Sequence, residues 1–465
     1  MTISNGRTTL DEHRELNTDS TAVEDVSKRI LETGIDYVHY QAVTLTGRVV
    51  GKTVPARHLR RSLENGVQQF RTVLGDLHTD PTGELLGGGN DAAEFTAMPD
   101  LDTFAVLPWD PRTARFFCRL YEPDHRPEGV RGQPLPTDVR GGLQRMHADF
   151  TTRTGLELRS GCEPEAAWSG PGLEPPRGHR VTPALHLDSL DRFRPVYQRI
   201  IAYGQALGLD MTEGGHEGDD GQLEMNWMFD HADRTADRLI VHRQICRQVA
   251  RELGLTVSFM PKPSDRHMGN GCHHNLSLWR DGVNVFSDPQ TRELHLSDIG
   301  RYAMGGILTH AAAMSAVVCP TVNSYKRLAQ ASEFTPSHVN WGRETKACAL
   351  RLPANGRVEF RLPDAMANPY LSHAVLIAAI EDGIKNQTDP GPDKAHEDHA
   401  SAQRFPALPH TLEQALERFS ADPVSTGALG EETAALFLAM KSLEWRRFCT
   451  AVTDWERDAY TDAGY

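Results

Sequence analysis

Arg357-Val358-Glu359-Phe360-Arg361-Leu362 alternates charged with apolar side chains. A period of two belongs to a β-strand, so Arg357, Glu359 and Arg361 share one face while Val358, Phe360 and Leu362 share the other. One face packs, and the other meets water or carries chemistry. Glu163 and Glu165 in Gly161-Cys162-Glu163-Pro164-Glu165 share a face in the same way. So do Gln222, Glu224 and Asn226 opposite Leu223, Met225 and Trp227, and His273, Asn275 and Ser277 opposite His274, Leu276 and Leu278. One such strand alone reads most simply as the solvated face of an antiparallel sheet. Several in one chain point to a shared site. Carboxylates with a single imidazole suit a hard divalent cation such as Mg²⁺ or Mn²⁺, and neighbouring arginines suit phosphate or carboxylate oxygens through forked hydrogen bonds.

Helical patterns surround these strands. Thr21-Ala22-Val23-Glu24 has the spacing of a capping box, and Val23, Val26, Ile30 and Leu31 continue at helical intervals up to Gly34. Strands are expected around Tyr37 to Val54, with a turn at Thr46-Gly47-Arg48, and around Thr103 to Leu107 and Arg115 to Tyr121. A helix is expected from near Asp230 to Gly254, because Ala236, Leu239, Ile240, Cys246, Val249, Ala250 and Leu253 trace one face. Leu412 to Tyr460 reads as helical too. The stretch Glu122 to Arg140 is rich in proline, glycine and charge, which marks a domain edge near residue 130. Gly170 to Pro183 and Asn386 to His410 read as long loops, and Gly87-Gly88-Gly89 as a loop without the lysine of a phosphate-binding motif. The fold class is therefore α+β.

With 465 residues the chain exceeds one small core, and 39% hydrophobic residues are too many for a disordered chain. Acidic residues outnumber basic ones by 63 to 49, a formal charge of −14, so a nucleic-acid backbone or an anionic membrane surface would be repelled. Seven widely spaced cysteines without a CxxC pair fit neither a disulfide framework nor a zinc finger. Met1 to Asn17 is polar and reads as the tail of a cytoplasmic protein. Tyr302 to Val322 has no charged residue, yet Gly305-Gly306, His310 and Pro320 make it a buried core helix rather than a membrane span.

Five motifs then fix a resemblance. Gly221-Gln222-Leu223-Glu224, Phe259-Met260-Pro261-Lys262-Pro263, Gly269-Asn270-Gly271-Cys272-His273, Asn323-Ser324-Tyr325-Lys326-Arg327-Leu328, and Val358-Glu359-Phe360-Arg361-Leu362-Pro363-Asp364 with Asn368-Pro369-Tyr370-Leu371 stand in this order. In order and spacing the chain resembles the glutamine synthetase family, type I-like, from about residue 25 to 460, closest in character to the γ-glutamyl-amine synthetases. The resemblance implies a flexible tail (1–20), a small N-terminal β-grasp domain (21–129) and a large catalytic domain with a curved antiparallel sheet and helices (130–465). It also implies a double-ring dodecamer with active sites between neighbouring subunits, ATP as co-substrate, and two to three Mg²⁺ or Mn²⁺ ions per site. Carried over by motif, Glu165, Glu217 and Glu224 would hold one metal, and Glu163, His273 and Glu359 another. Arg327, Arg361 and the Gly269 backbone would bind glutamate. Ser277, Asn275, Lys346, Arg351 and Arg357 would bind ATP. Glu333 would take a proton from the amine, completing a catalytic set with Arg351 and Glu217.

The chain also departs from the family. Where the ammonia-using enzymes carry an Asp-Gly-Ser-Ser segment, it reads Gln69-Phe70-Arg71-Thr72-Val73, and no tyrosine occurs from Ala166 to Val196. Asn275 replaces a histidine, Lys346 an arginine and Met268 an asparagine. Leu371 to Ala459 lacks tyrosine, which excludes adenylylation of a tyrosine there. A pocket stripped of its anionic and hydroxyl groups favours an amine with an alkyl part, so the expected activity joins glutamate to a small organic amine, ethanolamine-like or a polyamine. The alternatives are glutamine synthetase using ammonium and a non-catalytic regulator derived from the family.

Overall fold

The computed structural model describes residues 7–18, 21–173, 184–291, 294–329, 334–353, 356–393 and 405–462. The N-terminal part holds helices α1 (Thr9–Leu16), α2 (Thr21–Thr33) and α3 (Leu59–Asn65). Its strands are β1 (Tyr37–Val43), β2 (Val49–Pro55), β3 (Val67–Gln69), β4 (Phe95–Pro99), β5 (Ala105–Leu107) and β6 (Asp110–Tyr121). They form one sheet in the order β2-β1-β6-β4-β3, with β5 on β6, and β1 and β6 run parallel.

Residues 1–20 are not wholly a tail. Thr8 caps α1 and exchanges hydrogen bonds with Asp11, Leu10 is fully buried, and His13 bonds both the Tyr121 hydroxyl and the Pro99 carbonyl. The short polar segment docks through Leu10 and His13, three residues apart on one helix face, while the Thr8 cap satisfies the helix end. The Thr46 turn and the strands at both ends of it form as expected.

The C-terminal part is built on a ten-stranded sheet. Its strands are β7 (Glu157–Ser169), β8 (Met211–His216), β9 (Gln222–Trp227), β10 (Asp230–His231), β11 (Thr256–Ser258), β12 (Cys272–Arg280), β13 (Val283–Asn284), β14 (Trp341–Arg343), β15 (Leu350–Leu352) and β16 (Val358–Phe360). The main order is β14-β15-β16-β12-β7-β9-β8, antiparallel except for β14 with β15. The helices are α4 (Val139–Thr154), α5 (Leu187–Asp191), α6 (Arg194–Ala206), α7 (Ala232–Leu253), α8 (Asp298–Val318), α9 (Val322–Ala329), α10 (Pro369–Asn386), α11 (Leu412–Ala421), α12 (Pro423–Leu429), α13 (Glu431–Thr450) and α14 (Asp454–Tyr460).

The α7 helix ends on Gly254 in the left-handed conformation, as its sequence requires. From Tyr302 to Val318 helix α8 carries no charged residue, and most of this stretch is buried. A Cβ added at Gly306 would lie 2.0 Å from the Ala379 carbonyl oxygen, and one at Gly383 2.3 Å from that of Tyr302, so glycines on both helices let α8 and α10 touch backbone to backbone. No described helix is long and apolar enough to cross a membrane. The two sheets are joined by Arg140, which donates to Asp100 at 2.9 Å and to Asp237 at 2.8 Å, and by Asn368, which donates to the Thr44 and Leu45 carbonyls. This rigid frame fixes the charged faces of β9, β7, β12 and β16 side by side.

Candidate active site

Strand register brings the site together. His273 stands directly across from Glu163, Asn275 across from Glu359, and Glu165 across from Glu224. Their strands bury Val358, Phe360, Leu223, Met225, Cys162 and Leu276 on the opposite face, so slipping any strand by one residue would turn its polar site residues into the core. Glu217 follows β8, where its backbone N–H donates to the Gln222 carbonyl at 2.8 Å.

One basin is lined by Glu163, Glu165, Glu217, Glu224, His273, Glu359, Arg327, Arg361, Gly269, Lys346 and Arg351, eleven of the residues expected from sequence. A neighbouring cavity holds Asn275, Ser277 and Arg357 and shares Glu163 with the basin. There Arg357 donates to the Asn275 amide oxygen at 2.7 Å, and the Asn275 amide donates to Glu163 at 2.7 Å. The Trp279 indole donates to Ser277 at 2.9 Å, and Arg159 stacks over its ring at 4.2 Å. Glu333 lies outside the described residues. Gln69 to Val73 sit on the N-terminal sheet and its following turn, none of them lining the basin of this chain.

Charge is uneven across the basin. Ligand atoms of Glu163, His273 and Glu359 lie within 4.8 Å of one another. Glu359 is buried between Arg351, which donates at 2.8 Å, and Arg361. Burial first, and then the charge of Arg361, holds His273 well below the usual imidazole range, leaving it neutral with a free lone pair. On the other side burial and mutual repulsion among the acids outweigh the charges of Arg327, Arg361 and Lys346. Burial and then Glu217 push Glu165 up to about 7 despite a bond from the Gly271 N–H, and burial with Glu163, Glu165 and Glu217 drives Glu224 well upward. Burial also raises Glu217.

This donor set fits hard divalent cations, since oxygen ligands and one neutral imidazole converge where like charges repel in their absence. Glu165, Glu217 and Glu224 would hold one ion, and Glu163, His273 and Glu359 the other. Bound there, such ions supply charge neutralisation for a transferring phosphoryl group.

Some contacts were not evident in the motifs. Gln222 donates to Glu165, to the Gly269 carbonyl and to Asn270 at 2.8, 2.8 and 3.2 Å, which ties a metal carboxylate to the glycine loop. Its place on the Glu224 face was readable; this threefold role was not. Arg361 also clasps the Lys346 and Phe334 carbonyls from below, and the Lys346 ammonium lies over the Phe334 ring at 5.7 Å.

The profile of the glutamine synthetase catalytic domain matches residues 140–460. The chain belongs to the glutamine synthetase family. A glutamine synthetase of Rhizobium leguminosarum bv. phaseoli is 35% identical over 383 residues, spanning 79% of this chain and 86% of that one. The glutamate–methylamine ligase of Methyloversatilis universalis is 32% identical over 449 residues, spanning 93% of this chain and 97% of the ligase. A solved structure of GmaS in complex with ADP superposes with a TM-score of 0.83 at 32% identity, covering 94% of this chain and 99% of that one. As a glutamine synthetase family member the chain is an ATP-dependent glutamate ligase with the family's two-part fold.

Proposed function

We propose that this ligase joins the γ-carboxyl of glutamate to a short organic amine rather than to ammonium. The observation that carries the reading is the wall of the basin beside Glu217. Met268 packs on Gly218, where an added Cβ would meet its sulfur at 2.7 Å, and Asp219 holds its backbone in place. Ala184 and Phe334 complete this wall, and Leu185 fixes the segment by donating to the His216 carbonyl at 2.7 Å. An apolar wall without a tyrosine hydroxyl has little to offer ammonium and accommodates an alkyl group. The similarity to a glutamate–methylamine ligase supports a short amine over a polyamine. The curated glutamine synthetases at similar identity keep ammonium as the alternative.

In this reading Arg327, Arg361 and the Gly269 backbone orient glutamate. A γ-carboxylate oxygen attacks the γ-phosphorus of ATP, ADP leaves, and γ-glutamyl phosphate forms while Arg351, Arg357 and Lys346 balance the phosphoryl charge. The neutral amine nitrogen then attacks the γ-carbonyl carbon, phosphate departs, and Glu333 takes the surplus amine proton. Asn275 and Ser277 lie on the nucleotide side. Gln69 to Val73 reach the amine from a neighbouring subunit of a dodecamer, with the N-terminal domain ending near residue 129. An ADP-release assay with glutamate and methylamine, ethanolamine, putrescine or ammonium tests the assignment. A short alkylamine or amino alcohol is expected to give the highest kcat/KM; ammonium surpassing all of them defeats it.

A further inference from the structure

A second cavity, of about 320 Å³, lies where the Thr46 turn of the N-terminal sheet meets helices of the C-terminal part. Its walls come from the Thr46-Gly47-Arg48 turn, from Asp76 and His78, from Arg243 and Arg247 on α7, from Thr321 before α9, and from Phe437, Met440, Lys441 and Glu444 on α13. In a chain of formal charge −14 this pocket is cationic: four lysine and arginine residues face two acids. Both acids are engaged, Asp76 by the Thr46 hydroxyl and Glu444 by Lys441 at 2.9 Å.

Arg48 and Arg247 make no ion pair among the described residues, although each lies within reach of the other's charge. Buried Arg243 donates only to the Ala365 and Ala367 carbonyls, at 2.8 Å each. The His78 Nδ1 atom is buried without a hydrogen-bond partner, and that imidazole faces one acid, Asp76, and three cations, Arg447, Lys441 and Arg48. Unpaired cations, a partnerless buried nitrogen and apolar walls from Phe259, Leu371, Phe437 and Met440 describe a receptor for an anion with a small carbon body.

We propose that this cavity is an effector site for a small organic dianion, a dicarboxylate or a phosphate monoester. The dianion bridges Arg48 and Arg247, with Lys441 and His78 as further donors. Its occupancy reaches the substrate site through one residue. Glu444 accepts from Lys441 on one oxygen and, on the other, from the Val322 N–H at 3.0 Å, the first residue of the helix that carries Arg327. A dianion competing for Lys441 therefore changes the hold on α9 and shifts glutamate affinity, independently of which amine the enzyme uses.

The test is calorimetric titration of the full-length protein, saturated with Mg²⁺, ADP and glutamate, using succinate and inorganic phosphate as separate probes. Wild type and Arg48→Gln/Arg247→Gln are compared; both arginines are exposed, so the variant keeps its fold. The expected result is saturable binding at one equivalent per chain, weakened at least about tenfold in the variant, with an anion-dependent glutamate KM in wild type alone. Stronger binding of succinate identifies a dicarboxylate, and stronger binding of phosphate a phosphate monoester. The proposal is overturned if neither probe binds, if the variant binds as tightly, or if the KM response is absent or equal in both proteins.

Discussion

Replacing one basin carboxylate by its amide should stabilise the metal-free protein, and replacing another should destabilise it. Glu165 stands among Glu217 and Glu224, and burial first, then the charge of Glu217, pushes its carboxyl up from 4.5 to about 7. At 1.36 kcal/mol per unit, its ionisation in the folded state costs about 3 kcal/mol above pH 7. Because the folded chain holds this proton more tightly than the unfolded chain, stability falls as pH rises from 4.5 through 7. Glu165→Gln removes that penalty, and its amide oxygen still accepts from the Gly271 N–H and the Gln222 amide, both of which reach the same Glu165 oxygen. Glu359 is the opposite case. Its two oxygens are gripped by Arg351 and Arg361, so Glu359→Gln leaves buried guanidinium charge uncompensated and should cost about 3 kcal/mol or more. Denaturant unfolding of chelator-treated protein at pH 8 measures both. The account expects Glu165→Gln to be more stable than wild type and Glu359→Gln to be less stable, with added Mg²⁺ stabilising wild type far more than either variant. Equal destabilisation by the two substitutions would refute the charge assignment.

Arg327→Lys keeps the charge but loses the fork that spans the Leu362 and Arg361 carbonyls, so glutamate KM should rise about tenfold or more with ATP KM little changed; an unchanged glutamate KM removes Arg327 from the substrate site. Glu333→Ala should slow amide formation by about a hundredfold or more, and wild-type rates would discard its role as proton acceptor. Burial holds His13 and His373 down to about 4 and His242 down to about 3. The unfolded chain protonates these groups near 6.5, so their contribution is complete above that pH and is lost as pH falls towards 4, up to about 3 kcal/mol for each. His13→Gln should flatten the pH dependence of unfolding across this window, and an unaltered slope would show that His13 does not contribute.

The strand faces were legible because a period of two is local: Glu163, Glu165, Gln222, Glu224, His273 and Glu359 declare their side by their apolar neighbours. Which strands would be adjacent was not local, and only the order of motifs placed Glu163 against His273. Helix α1 escaped notice although Thr8 and Asp11 have capping-box spacing, because its short amphipathic face becomes apparent only once Tyr121 and Pro99 stand beside it. The Met268 wall and the cationic cavity escaped for the same reason. The cavity draws Arg48, His78, Arg247 and Lys441 from four distant segments, and no pattern within any one of them marks a pocket.

The most direct test of the central claim is competition for the acyl phosphate. Glutamate and ATP are supplied with equal concentrations of ammonium, methylamine and ethanolamine, and the products are resolved by mass spectrometry. The account predicts that a γ-glutamyl alkylamide or hydroxyalkylamide dominates over glutamine. Glutamine as the main product would contradict it.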